Sequence, residues 1–281
     1  MFSYEIRDSS NPEYLANWVE FYLQVEGSGE ISKSNLISAI EANSGEGNSE
    51  VLVDDVWQSL ERRQFLYGSN PPYKIDPKIA IKLVSWKSHP FYLACLIFTM
   101  EGNNINAKIS GDLFEKLCNE SVKFFLQGES FIYGYPAKAS LKQIAEDMNE
   151  EFFKDPPGAR KDRGVDLISW KSFGDDRPSQ VVVLTQCAAG RNWKKKCTEL
   201  DLAVWDSQYI NFLCNPIKAL AIPFVYPDDV VSYDYAKSAG LIIDRPRIYQ
   251  ALSQITLDRT LNTEIKKWCK LRLSQIFIKN K

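Results

Sequence analysis

The chain has 281 residues, 44% of them apolar and 25% charged, with a net charge of −2. That length suits two domains, and that balance is ordinary for a soluble protein with real cores. No apolar run reaches membrane-spanning length, and the first residues carry no basic stretch followed by an apolar one, so a cytoplasmic protein without signal peptide or membrane partner is expected.

In chain order, Tyr14, Trp18, Phe21 and Tyr22 fall at i, i+4, i+7 and i+8 and predict a first helix. Ser32 caps a second, holding Leu36, Ile37 and Ile40. A loop over Gly45–Ser49 follows. Val53, Val56, Trp57 and Leu60 make a third helix that ends near Arg62-Arg63. Phe65-Leu66-Tyr67, the turn Gly68-Ser69-Asn70-Pro71-Pro72 and Tyr73-Lys74-Ile75 read as a hairpin. Three short helices and a hairpin outline a winged helix, a shape that reads DNA in some proteins and docks partners in others. Glu50, Asp54, Asp55 and Glu61 on the third helix would repel phosphates, which favours docking. Helices at 90–101 and 112–127 brace the two halves, and Ser130–Ala139 reads as the junction. The predicted units are therefore 1–128, helical and regulatory, and 129–281.

The second unit opens with a helix from Ser140 to Phe153, buried through Leu141, Ile144, Ala145, Met148 and Phe152, and closed by Pro156-Pro157-Gly158. Strand Val165–Trp170, the loop Ser172–Pro178 and strand Gln180–Cys187 follow as a hairpin. A helix starts near Asn192 and runs toward Trp205. Ala219–Val225 and Gly240–Asp244 read as strands, Arg247–Gln254 and Leu261–Phe277 as helices.

Charge is uneven along the chain. Residues 1–128 hold 11 Lys/Arg against 17 Asp/Glu, net −6, and 129–281 hold 23 against 19, net +4. The C-terminal half could face a polyanion, or its lysines could be a solvated helix face. Six cysteines without a CxxC pair argue against a zinc ribbon and a secreted disulfide framework. The single histidine, His89, precedes Pro90 in a predicted turn and leaves little room for histidine-dependent chemistry.

The most informative stretch is Gly164-Val165-Asp166 together with Val181–Cys187 and, beyond Ala188-Ala189-Gly190, Trp193-Lys194-Lys195-Lys196. An acid on one buried strand, an amide on the next and a lysine on the following helix could hold a divalent cation and a phosphate. The plain alternative makes Asp166 a turn residue, Gln186 an edge residue and the lysines an exposed helix start. Cys187 as a thiol nucleophile is a second idea; its side chain alternates to the face opposite Gln186, and a buried structural cysteine is the simpler reading. Gly190 could set an anion at a helix N-terminus, but no GxxxxGK[ST] loop supports an NTPase. Asp244, Arg245 and Arg247 read as a surface bridge or a phosphate contact.

Over roughly Ser140–Val225 this order resembles the PD-(D/E)xK nuclease superfamily, closest to its Mrr-like members with glutamine in the second motif. The resemblance implies an αβββαβ restriction-endonuclease-like core within an α+β or α/β chain. It also implies a Mg²⁺ or Mn²⁺ cofactor held by Asp166 and Gln186, with Glu146 or Glu150 from the first helix completing the metal site. The lysine expected two residues after Gln186 is replaced by Ala188, so Lys196 or, as next choice, Lys194 would supply it from the following helix. A strand usually precedes the aspartate, and none is evident between Gly158 and Gly164. The implied activity is endonuclease hydrolysis of phosphodiester bonds, DNA favoured, in a restriction or antiviral defence system. The implied partners are nucleic acid, an ATPase, helicase or other defence subunit, and further copies of the chain. The alternative is a non-catalytic adaptor carrying a degenerate nuclease fold.

Overall fold

A computed structural model describes residues 5–44, 49–101, 107–133, 140–157, 163–190, 192–227 and 230–279. The fold is mixed α+β, and the chain divides into two compact units, 1–101 with 257–281, and 102–256. Among the described residues no helix is long and apolar enough to cross a membrane.

The first unit begins with α1 (Pro12–Val25), capped by the Asn11 side chain, which accepts from the Glu13 and Tyr14 N–H groups. Its predicted stripe is buried at Trp18, Phe21 and Tyr22. β1 (Glu30–Ser32) runs directly into α2 (Lys33–Ser44), and the Ser32 hydroxyl accepts from Asn35 N–H at 3.1 Å, as a cap should. Of the loop predicted at Gly45–Ser49, only Ser49 lies within the described residues, and it opens α3 (Ser49–Leu66).

That helix runs a turn past Arg62-Arg63, because Arg63 is a buried anchor and not a surface stop. Its guanidinium meets Glu20 at 2.7 Å and Glu13 at 2.6 Å. Phe65 and Leu66 are therefore helical, and the hairpin predicted from them lies one element later. It consists of β2 (Tyr73–Ile75) and β3 (Ile79–Lys82), turned at Asp76-Pro77-Lys78, with Asp76 and Ile79 exchanging backbone hydrogen bonds. The three strands form an antiparallel sheet in the order β1-β3-β2. The apolar run at 91–100 forms the core of α4 (Pro90–Glu101), buried along its whole length. The chain's last helix, α11 (Arg259–Lys279), returns to it, setting Trp268 against Phe98 with ring centroids 4.8 Å apart.

The second unit holds α5 (Ala107–Leu126), β4 (Glu129–Ile132), α6 (Leu141–Asp147), β5 (Glu151–Phe152), β6 (Leu167–Lys171), β7 (Val181–Cys187), α7 (Trp193–Lys196), α8 (Leu202–Gln208), β8 (Ile210–Asn211), β9 (Ile217–Ala221), α9 (Val230–Ala239), β10 (Leu241–Ile243) and α10 (Arg245–Ser253). Its five-stranded sheet has the order β10-β9-β7-β6-β4. β4, β6 and β7 pair antiparallel, while β7, β9 and β10 run parallel. β5 and β8 form a separate two-stranded ribbon.

Several particulars differ from the sequence reading. α5, placed before a boundary at 128, packs on β4, β6 and α10 of the second unit. β4 supplies an edge strand where a junction was expected; its Ser130 hydroxyl meets that of Ser169 at 2.7 Å. Residues 134–139 of that junction lie outside the described residues. α6 stops at Asp147, since Asn149 takes a left-handed φ of 58° and Glu150 turns to other partners. The helix expected from Asn192 to Trp205 is two, because the Asp201 side chain caps α8 by accepting from Ala203 and Val204 N–H. The charge asymmetry also dissolves, because basic α11 joins the acidic N-terminal residues. Residues 102–256 carry 19 Lys/Arg against 20 Asp/Glu and the other unit 15 against 16, net −1 each.

Glu20 is fully buried, facing Arg63 and accepting from the Tyr67 and Tyr92 hydroxyls at 2.6 Å each. Replacing it with Ala takes one of two carboxylates from a buried guanidinium and removes the acceptor of both tyrosine bonds, and urea unfolding is expected to show a loss of about 3–5 kcal/mol. Replacing both Glu20 and Arg63 with Met should recover part of that loss, since the buried acid and the buried base leave together.

Candidate functional site

The register of β6 against β7 builds the site. Leu167 faces Thr185 and Ile168 faces Leu184, so one more step sets Asp166 across from Gln186. Side chains alternate along a strand, which puts both on the face of Ile168, Trp170, Val182 and Leu184. That face is covered by Leu141 and Ile144 of α6, by Met148 just past its end and by Trp205 of α8. Asp166 and Gln186 thus stand where an apolar face reaches the strand ends.

Asp166 is stitched into the sheet on both sides. Its N–H donates to Thr185 O at 2.9 Å and its carbonyl accepts from Tyr133 N–H at 2.8 Å. Its carboxylate accepts from Cys187 N–H at 2.6 Å, and the residue stays half-buried. Gln186 is 2% exposed. Its Nε2 donates to Glu199 Oε2 at 2.9 Å, and its Oε1 is buried with no hydrogen-bond partner among the described residues.

The same Glu199 oxygen accepts from Lys196 Nζ at 2.9 Å. Gln186, Glu199 and Lys196 therefore form one chain of contacts, and Glu199 is the member that sequence reasoning missed. Burial works to raise its carboxyl, but the bonds from Lys196 and Gln186 outweigh that and hold it below the usual carboxylate range. The three-residue spacing from Lys196 to Glu199 was its only sequence signal. Gly164 lies against the same group: a Cβ there would sit 3.4 Å from Gln186 Nε2 and 3.4 Å from Leu200 N.

Lys194 is directed elsewhere. Its ammonium lies over the Trp193 and Tyr235 rings, 5.9 and 5.2 Å from their centroids. Ala188, where the resemblance expects a lysine, is buried in a cluster with Trp193, Leu220 and Ile222, and its N–H donates to Ala221 O at 2.8 Å. A lysine there would place its charge in an apolar cluster. Glu146 pairs with Lys142 at 3.8 Å on the exposed side of α6, and the bonds joining Gln186, Glu199 and Lys196 do not include it. Glu150 lies apart from these residues. Its two oxygens accept from Ser179 N–H at 2.8 Å and Leu213 N–H at 3.1 Å. Ser179 precedes β7, so that carboxylate sits at the far end of the strand from Gln186, about 20 Å away at ~3.3 Å per residue.

Burial pushes the Cys187 thiol well up, and the neighbouring Cys118 adds to it, which opposes a thiolate nucleophile. Asp244 caps α10 and accepts from Tyr226 N–H at 3.0 Å, while Arg245 is fully buried, so these residues are structural.

Among the described residues no three Asp, Glu, Cys or His side chains gather as a metal-binding group. The oxygen donors that do fit a hard cation are Asp166 and the orphaned Gln186 Oε1, a buried acceptor of the kind an ion or a water completes. Compared with known proteins, the chain matches no family model, no curated protein and no solved structure.

Gly164 holds a left-handed φ of 81°. Gly164→Ala is expected to cost about 1–2 kcal/mol in urea unfolding from that backbone conformation. The space around it is ordinary van der Waals distance, so the fold should persist.

Proposed function

We propose that the second unit is a PD-(D/E)xK-type nuclease domain that hydrolyses phosphodiester bonds of nucleic acid, DNA foremost, with Mg²⁺ or Mn²⁺. The observation that carries this reading is the buried Gln186 Oε1, without a donor among the described residues, standing opposite Asp166 and tied through Glu199 to Lys196. The sheet supports it: the aspartate strand β6 is antiparallel to the glutamine strand β7, and β9 lies parallel beyond. β4 pairs antiparallel with β6, as a strand preceding the aspartate would, although it comes before α6 in the chain and not after it.

In this reading Asp166 and Gln186 Oε1 hold the cation. The ion, when bound, lowers the pKa of a coordinated water and offsets charge growing on the phosphate. Cys187 N–H fixes the Asp166 carboxylate, so its orientation is set before any ligand arrives. Lys196 commits one ammonium proton to Glu199 and has others to orient water or steady a phosphate oxygen. Lys196, and not Lys194, is therefore the working lysine.

The first unit supports a winged-helix reading, since α1-β1-α2-α3-β2-β3 with sheet order β1-β3-β2 follows that outline. Lys33 neutralises Asp54 at 2.6 Å, but Glu50, Asp55 and Glu61 leave α3 acidic, which favours docking a protein. An ATPase, helicase or other subunit of a defence system is the partner class this suggests.

The test is cleavage of plasmid DNA, single-stranded DNA and RNA with Mn²⁺ or Mg²⁺. Asp166→Asn keeps an acceptor for Cys187 N–H, so it should fold and lose cleavage. Lys196→Ala should lose about 10²–10³-fold in rate, as removal of one charge-stabilising donor does, while Lys194→Ala should cut normally. Cleavage retained by Asp166→Asn would sink the assignment. A folded protein that neither cuts nor gains metal-dependent thermal stability favours the adaptor reading, to which Ala188 already points.

A further inference from the structure

We propose that Glu199 is the positioning residue that orients the Gln186 amide, so that its oxygen and not its nitrogen faces the cation site. This rests on the metal-site reading of Asp166 and Gln186. A glutamine side chain offers two nearly isosteric ends, and only its surroundings decide which end points where. Here the decision is chemical. An ionised carboxylate can only accept, so the amide end facing Glu199 Oε2 at 2.9 Å must be Nε2. Oε1 is thereby turned the other way, where it is buried and receives no donor among the described residues. The opposite rotamer would press two acceptors together.

Glu199 is itself held from two directions. Its Oε2 takes both the Gln186 amide and the Lys196 ammonium, although 46% of the side chain is exposed. The Lys196 ammonium on that oxygen makes it one half of an ion pair, which leaves the amide a carboxylate oxygen to donate to. Gly164 neighbours both groups: a Cβ there would lie 3.4 Å from Gln186 Nε2 and 3.5 Å from the Glu199 carbonyl carbon.

The arrangement also accounts for glutamine at 186. A glutamate there would set one carboxylate against another. If Glu199 acts only by orienting the amide, exchanging the two groups should preserve the device. A carboxylate at position 186 would present one oxygen to the site and, with the other, accept from an amide at position 199.

The experiment is calorimetric titration of the full chain with Mn²⁺, comparing wild type, Asp166→Asn, Glu199→Ala, Gln186→Glu, and Gln186→Glu combined with Glu199→Gln. Urea unfolding of each variant establishes that it is folded. Wild type should bind Mn²⁺ in an Asp166-dependent way. Glu199→Ala should weaken binding about 10–100-fold, the range seen when a residue orienting a metal ligand is lost. Gln186→Glu alone should bind poorly, and the exchange should restore most of the affinity, a rescue that a merely structural role does not predict. Wild-type affinity in Glu199→Ala, or an exchange no better than Gln186→Glu alone, overturns the positioning role while the metal site stands. A wild type with no Asp166-dependent binding overturns both.

Discussion

The pairing of β6 with β7 is the constraint on which the second unit depends. Alternation has a period of two, so slipping β6 by one residue against β7 would turn Ile168, Trp170 and Asp166 off the face that Val182 and Leu184 share and α6 covers. The register is pinned at the site end, where Asp166 bonds Thr185 through its backbone and Cys187 through its side chain. The acid of the site is thus also a clasp of the sheet. The next pairing, β7 with β9, is parallel and demands a crossover connection. That crossover carries α7 and α8, and Leu200 and Trp205 enter the same core as α6. The topology therefore delivers Lys196 and Glu199 onto the face where Asp166 and Gln186 already stand.

What the sequence made legible was local. The buried strands, their alternation and the candidate pair Asp166 and Gln186 follow from apolar runs bounded by turn residues. What escaped it depended on partners distant in the chain. Arg63 looks like a helix end because arginine is common there, yet it is buried against Glu20, 43 residues away. β4 has only four residues and one buried side chain, too little pattern to mark a strand, and its pairing with β6 alone defines it. Asp201 breaks a helix that apolar periodicity carries through. The helix α9 starts beyond Pro227 in a segment whose aromatic residues give no clear stripe. Glu199 escapes for the same reason as Arg63: an acid after a lysine looks like a solvated pair until the Gln186 amide is placed beside it.

Under the proposed nuclease reading, a lysine at 196 and not at 188 has a packing explanation. At 188 the chain has just left β7 beside β9 and lies beneath Trp193, and only a small apolar residue suits that cluster. An ammonium group there would need desolvation without a counter-ion. At 196 the ammonium sits one turn into the crossover, about a third exposed, where water and Glu199 both solvate it. The cost of moving it is reach, and Glu199 answers that by fixing the ammonium to the atom that also holds Gln186.

Charge then decides between an acid and an amide at 186. Asp166 stands across the sheet from that position, Glu199 takes its amide, and Lys196 pairs with Glu199. A third carboxylate there, buried to 2% exposure, would have to be ionised against both acids or be protonated and lose its use as a ligand. The amide avoids the choice. It donates to the anion on one side and leaves a neutral oxygen for the other, giving a net charge of about −1 over these four residues with Lys196 protonated and both carboxyls ionised. In the proposed site, that charge would draw in a divalent cation and still leave Lys196 able to meet a phosphate, which a more acidic cluster would repel.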